Sequence, residues 1–272
     1  MSRFRILVFH RATGFVHVSI PDAVAAIRAL GAAHDIDVDA TEDPASFTPA
    51  TLAPYAAVVF VHTSGDVLPG PSQRVALEQF IGRGRGFLGV HAAASITDDV
   101  REGWPWFRGL VGAAFTGHTA ARVWCDGMDR AEGPFADAPP DAEVLGPGLA
   151  MISWEPAVIH VEDPACPAAR GLTDGETRAD EWYGFDENPR PHVHVVATVD
   201  ESTYDPHRGR MGADHPIIWW REYGGGRSVY HSMGHAAATW RDDSFLRSIL
   251  GAIELAAGVT PPPPAPAPDL GS

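Results

Sequence analysis

The chain has 272 residues, 45% of them hydrophobic and 20% charged, enough to bury one sizeable α/β core. Its 35 acidic against 20 basic residues give a net charge of −15; with no basic stretch to offset this, nucleic acid and anionic membrane surfaces are excluded as partners. The first apolar run, Ile6-Leu7-Val8-Phe9, is too short for a signal-peptide core or a bilayer span. Cys125 and Cys166 lack metal-ligand spacing, so reduced thiols and a cytoplasmic location are expected, with a single disulfide between them as the alternative.

Phe4 to Phe9 reads as a strand buried on both faces. The loop His10 to His17 follows, then a helix with Ser19 as its cap, Pro21 in its first turn, an apolar face of Val24, Ile27 and Leu30, and Gly31 as its end. Ile36 to Val38 suits an edge strand, Thr48-Pro49 opens a short helix, and Ala57 to Val61 is a fully apolar strand leading into His62-Thr63-Ser64-Gly65. Pro71 starts a helix closed by Gly82 and Gly84. The next strand runs into Gly89-Val90-His91-Ala92-Ala93, the pattern of a nucleophile elbow with His where Cys or Ser would stand. This alternation predicts βαβ units and a mostly parallel sheet with helices on both faces.

After the elbow come a helical patch at Trp106 to Val111 and a Pro-, Asp- and Ala-rich region; the stretch 119–190 reads as an insertion on the carboxyl side of the sheet. Val193 to Val199, Ile217 to Trp220 and Arg227 to His231 are expected strands, the last two joined as a hairpin through Gly224-Gly225-Gly226. A closing helix runs from Asp243 to about Ala257. Residues 1–258 thus form a single α/β domain, and 259–272 a Pro-rich, disordered tail.

In open α/β sheets ligands bind outside the carboxyl ends of the strands. That rule gathers His10, His17, His62, His91, His231 and His235 at one edge, with His118 beside them. A hydrogen-bonded structural imidazole is the plainer reading for His10 and His62, and a structural role is also expected for His215. The elbow favours a working role for His91, and Gly117 and Gly234 allow a ligand to approach His118 and His235 closely. Glu181, in Asp180-Glu181-Trp182-Tyr183, is the carboxylate suited to act with them; its bland alternative is a solvated turn. His91, His118, Glu181 and His235 are therefore the candidate catalytic residues, by acid–base or metal chemistry. His17, Thr63, Trp104, Trp182 and Trp240 are the candidate substrate-binding residues, the indoles forming an apolar wall suited to a sugar, with core filling as the alternative. No tight metal motif exists, so the metal set stays open; dispersed histidines admit a divalent ion such as Zn2+. No Walker A or GxGxxG motif supports nucleotide binding.

Several blocks taken in order carry a resemblance: Thr13 to Ile20, Thr63 to Asp66, Gly86 to Ala93, Leu110 to His118, Asp180 to Tyr183, Asp200 to Tyr204, and Asp214 to Ile217 through His235. Together they resemble the ThuA-like, trehalose-utilisation family from residue 4 to 258. The resemblance implies a flavodoxin-like, class I glutamine amidotransferase-like fold, with His91 where the amidotransferases carry cysteine. It also implies a link to sugar catabolism, including disaccharides processed through 3-keto intermediates. The family's first loop often reads Gly-Phe-Arg-His-Asp-Ser, and here Val16 and Val18 replace the charged residues beside His17. The expectation is a protein acting on a sugar or keto-sugar as an isomerase, lyase or hydrolase. The alternative is a non-catalytic module binding a sugar or a partner. A glutamine amidotransferase is rejected, since neither cysteine lies at an elbow. A homodimer is the default assembly.

Overall fold

The computed structural model describes residues 4–119, 122–125, 143–146 and 149–260. Strands β1 (Phe4–Phe9), β2 (Ile36–Thr41), β3 (Ala57–Val61) and β4 (Gly86–Val90) alternate with helices α1 (Ile20–Ala33), α2 (Pro49–Leu52) and α3 (Pro71–Gly82). Helices α4 (Asp98–Gly103) and α5 (Pro105–Val111) follow, then strands β5 (Phe115–His118), β6 (Arg122–Cys125), β7 (Glu143–Gly146), β8 (Leu149–Ser153), β9 (Glu155–Val161), β10 (Thr177–Asp180) and β11 (Tyr183–Phe185). Strands β12 (His194–Val199), β13 (Pro216–Tyr223) and β14 (Gly226–His231) and helix α6 (Asp243–Ala256) complete the order.

A nine-stranded sheet runs β10-β9-β12-β13-β14-β4-β3-β1-β2. Its half β2-β1-β3-β4-β14 is parallel. That is the flavodoxin-like order, whose switch point for ligands lies between β1 and β3. The other half is antiparallel. Every residue of β3 and β4 is buried, as a strand covered by helices on both faces requires. Side chains alternate between two cores: Ile6, Val8, Val59 and Leu88 pack with Ile27 of α1 and Ile249 and Ile253 of α6. Leu7, Phe9, Phe60 and Phe87 pack with Leu77 and Phe80 of α3 and Leu110 of α5. Each such side chain stabilises the fold by about 1.5–3 kcal/mol. Among the described residues no helix is long and apolar enough to cross a membrane.

Three local expectations are corrected. Gly31 does not end α1, which continues to Ala33; a Cβ there would meet Val38 Cγ2 at 2.4 Å, so glycine lets α1 lie close on β2. Ser19 sits at the N-cap without a capping bond, because its hydroxyl donates instead to the carbonyl of His235 at 2.6 Å. Part of the stretch 119–190 extends the main sheet, since β9 pairs with β12 and β10 with β9. The β13–β14 hairpin turns on Gly224 and Gly225, both at positive φ, as a two-residue turn of that hand requires. Residues 126–142 and the Pro-rich segment 261–272 lie outside the described residues.

Candidate functional site

The loops leaving β1, β3, β4 and β14 meet at the carboxyl edge. After β4 the chain enters a tight turn in which His91 has φ +51°, a strained conformation for a side chain with a Cβ. Small neighbours make the turn possible: a Cβ on Gly89 would come within 3.0 Å of the Phe87 ring and 3.2 Å of Ala93 Cβ. The Tyr230 hydroxyl holds the bend by donating to the His91 carbonyl at 2.8 Å. His62, one residue past β3, is at φ +50°.

Around Glu181 the imidazoles converge. His91 Nδ1 donates to the Ser232 carbonyl at 2.7 Å, which fixes the ring with its Nε2 facing inward. That Nε2 is 3.1 Å from His235 Nδ1 and 3.4 Å from Glu181 Oε2. His235 Nδ1 is 2.9 Å from the same Oε2. His118 Nδ1 is 3.2 Å from the other oxygen, Oε1, and its side chain is 42% exposed, so it stands at the solvent side. The His17 ring lies 5.0 Å from that of His91 and 4.8 Å from that of His235, and stacks on His62 at 4.7 Å. Its Nδ1 is buried without a hydrogen-bond partner.

Asp180 scaffolds the centre. Its carboxylate accepts from the backbone N–H groups of Gly234 at 2.8 Å, His235 at 3.2 Å and Glu181 at 2.8 Å. Trp240 Nε1 donates to the Gly234 carbonyl at 2.8 Å, and the Ser19 hydroxyl fixes that of His235. Rings of Tyr183 and Trp154 cover His91 at 4.2 Å and His235 at 4.1 Å.

Electrostatics follow from burial. Desolvation, reinforced by the charges of His91 and His235, lowers the His17 pKa to about 2, and desolvation likewise holds His62 well below its ordinary value. Both imidazoles are therefore neutral at physiological pH. Desolvation would raise Glu181, but hydrogen bonds from His235 and His91 outweigh it and hold the carboxyl well below the usual range. Desolvation prevails for Asp180, whose pKa is raised.

One donor atom each from His17, His91, Glu181 and His235 lie within 4.8 Å of one another. Ligands of a tetrahedral divalent ion at about 2.0–2.2 Å stand about 3.3–3.6 Å apart. The set is geometrically compatible with such an ion, and the bond from His91 Nδ1 to a carbonyl is the usual outer support of a ligating imidazole.

His17, His91, His118, Glu181 and His235 are thus brought together. Thr63 is buried next to His62 in the chain. Trp240 lies behind the site, 6.0 Å from the His62 ring. Trp182 is fully buried, its Nε1 donating to the Glu155 carbonyl. Trp104 packs on Phe107 and bonds Glu78 of α3, with no described contact to the histidines. His231 turns away, its Nε2 3.0 Å from Ser248 Oγ on α6, and His215 bonds Glu201, Tyr204 and the Tyr183 carbonyl. Sequence reasoning missed Trp154 and Tyr183 as walls and Ser19 and Asp180 as supports. Asp180, next to Glu181, was the one with a local signal.

Two solved structures resemble nearly the whole chain. A ThuA-like protein of Bacteroides uniformis is 21% identical with a TM-score of 0.66, the match covering 94% of this chain and 91% of that one. A ThuA-like protein of Parabacteroides merdae is 18% identical with a TM-score of 0.64, covering 93% and 90%. A cytoplasmic protein of Salmonella typhimurium shares the fold at 11% identity and a TM-score of 0.52, covering 92% and 98%. No curated protein matches the sequence. The model of the ThuA family, described as trehalose utilisation, matches residues 5–256, and the chain belongs to that family.

Proposed function

We propose that this protein is an enzyme of sugar utilisation that acts on trehalose, a related disaccharide or a keto-sugar derived from one. In this reading His17, His91, Glu181 and His235 hold a divalent ion such as Zn2+, and His118 transfers protons at the mouth of the site. The observation that carries it is the convergence of His91 Nε2, His235 Nδ1 and Glu181 Oε2 at mutual distances of 2.9–3.4 Å. An ion held there would supply Lewis-acid chemistry towards a carbonyl or hydroxyl oxygen. Glu181 and the imidazoles of His17, His91 and His235 would hold the ion, and His118, at the solvent side, would take or give the proton on the neighbouring carbon or leaving oxygen. The net charge of −15 favours a neutral ligand over an anionic one. The free, buried thiol of Cys166 fits a reducing compartment, and the cytoplasm is the proposed one.

The test is elemental analysis of the purified protein together with a turnover assay on 3-keto-glucosides and 3-keto-trehalose. The wild type is expected to carry about one ion per chain and to turn over one of these sugars. Glu181→Gln is expected to lose the ion and at least about a hundredfold in rate. A metal-free wild type with no turnover would overturn the reading.

Two observations favour a second reading: the elbow holds His91 instead of a nucleophile, and burial pushes the Cys166 thiol up to about 12. A scaffold of this kind is suited to binding a sugar without reaction. Sugar-induced thermal stabilisation with no product would support it. Neither reading releases ammonia from glutamine.

A further inference from the structure

Val16 and Val18 flank His17 and stand 62% and 52% exposed, with Phe15 beside them at 51%. His17 between them is buried. The loop thus turns its imidazole into the cluster and its aliphatic side chains outward, and the Phe15 ring packs edge-on against His17 at 4.9 Å. Grouped exposed apolar side chains mark contact sites. Here they border a cavity of 550 Å3 with aliphatic walls that include Val16, Val18 and Ile20. Its polar lining is limited to His10, Glu42 and His17, and His17 belongs to both the cavity and the cluster.

Size and chemistry narrow the occupant. A volume of 550 Å3 falls within the range of about 300–1,000 Å3 usual for small-molecule pockets. Three exposed side chains make a patch far smaller than the roughly 800 Å2 per partner of a stable protein interface. A pyranose ring would set several hydroxyls against aliphatic carbon with only the His10, Glu42 and His17 side chains to pair them, a penalty wherever the contact excludes water. An aryl or branched-alkyl group meets the same walls without that penalty.

We propose that this cavity binds the apolar aglycone of a glycoside whose sugar lies against His118 and Glu181, which makes Val16 and Val18 specificity-determining residues. The inference rests on the sugar-enzyme reading above. Calorimetry with the full chain and a matched pair, phenyl and methyl 3-keto-β-D-glucoside, tests it. The phenyl compound is expected to bind at least about tenfold tighter, and the ratio to fall towards one in Val16→Asp and Val18→Asp. Both side chains are more than half exposed, so the variants are expected to melt like the wild type, and Val16→Ser and Val18→Ser give a milder form of the same test. Equal affinity for the two compounds, or a ratio unchanged in the variants, overturns the inference and leaves the sugar reading standing. Binding of neither compound overturns both. Self-association in sedimentation that Val16→Asp abolishes, without an aryl preference, overturns it in favour of an interface between copies of the chain.

Discussion

Asp180 and Glu181 are consecutive, buried carboxylates with opposite kinds of partner: Asp180 accepts backbone N–H groups, whereas Glu181 faces three imidazoles. The end of β10 therefore places a carboxylate that supports the backbone next to one that faces the imidazoles. Neither carboxylate is at the surface, so each is retained against a desolvation cost by the groups it meets.

The pair predicts two separable phenotypes. Asp180→Ala leaves the N–H groups of Gly234 and His235 without their acceptor and is expected to destabilise the protein by about 2–3 kcal/mol. Glu181→Gln keeps the volume and an acceptor oxygen and is expected to destabilise the protein less than Asp180→Ala while abolishing ion binding. Chemical denaturation beside metal stoichiometry measures both, and a Glu181→Gln protein that still binds the ion would remove Glu181 from the ligand set.

His91 combines a left-handed backbone with a central ring. His91→Gly and His91→Ala are both expected to lose ligand binding or turnover. The glycine variant should be the more stable by about 1 kcal/mol, because only glycine adopts φ +51° without Cβ strain. Urea midpoints compare them, and a more stable alanine variant would show that the turn relaxes once the imidazole is gone.

His118 meets Glu181 through the oxygen that does not face His91 and His235. His118→Gln is expected to retain the ion and to lower kcat by about a hundredfold or more. A loss of metal instead would make His118 a ligand and not the proton-transfer group.

His231 is fully buried, and desolvation lowers its pKa to about 3, against about 6.5 in the unfolded chain. Between these values the unfolded state binds a proton that the native state does not, so stability rises with pH. This contribution is whole above about pH 6.5 and is lost as pH falls towards 3. His231→Gln, which keeps a donor for Ser248, is expected to flatten the stability profile between about pH 6 and pH 4 by about 1.4 kcal/mol per pH unit. An unchanged slope would mean that native His231 is already protonated.

The parallel half of the sheet was legible because its signals are local: Ala57–Val61 and Gly86–Val90 are apolar throughout, and Pro71 and Pro49 mark helix starts. Strand-end position also put His17, His91 and His235 at one edge, since the carboxyl ends of parallel strands share a side of the sheet. Which aromatic side chains face that edge was not legible. Trp104 packs in the helical layer over one face, while Trp154 reaches His235 from the link between β8 and β9, remote in sequence, and nothing local to either indole distinguishes them. Ser19 shows the same limit: its sequence context is that of a helix cap, but the carbonyl of His235, far along the chain, takes its hydroxyl. By itself the sequence determined the parallel strands, the helices packed on them and the tight turn at His91, all set by short-range sterics and hydrophobic period. Only the tertiary structure decided that Glu181 lies among His91, His118 and His235, because that meeting depends on how β4, β5, β10 and the loop after β14 are brought together by long-range packing.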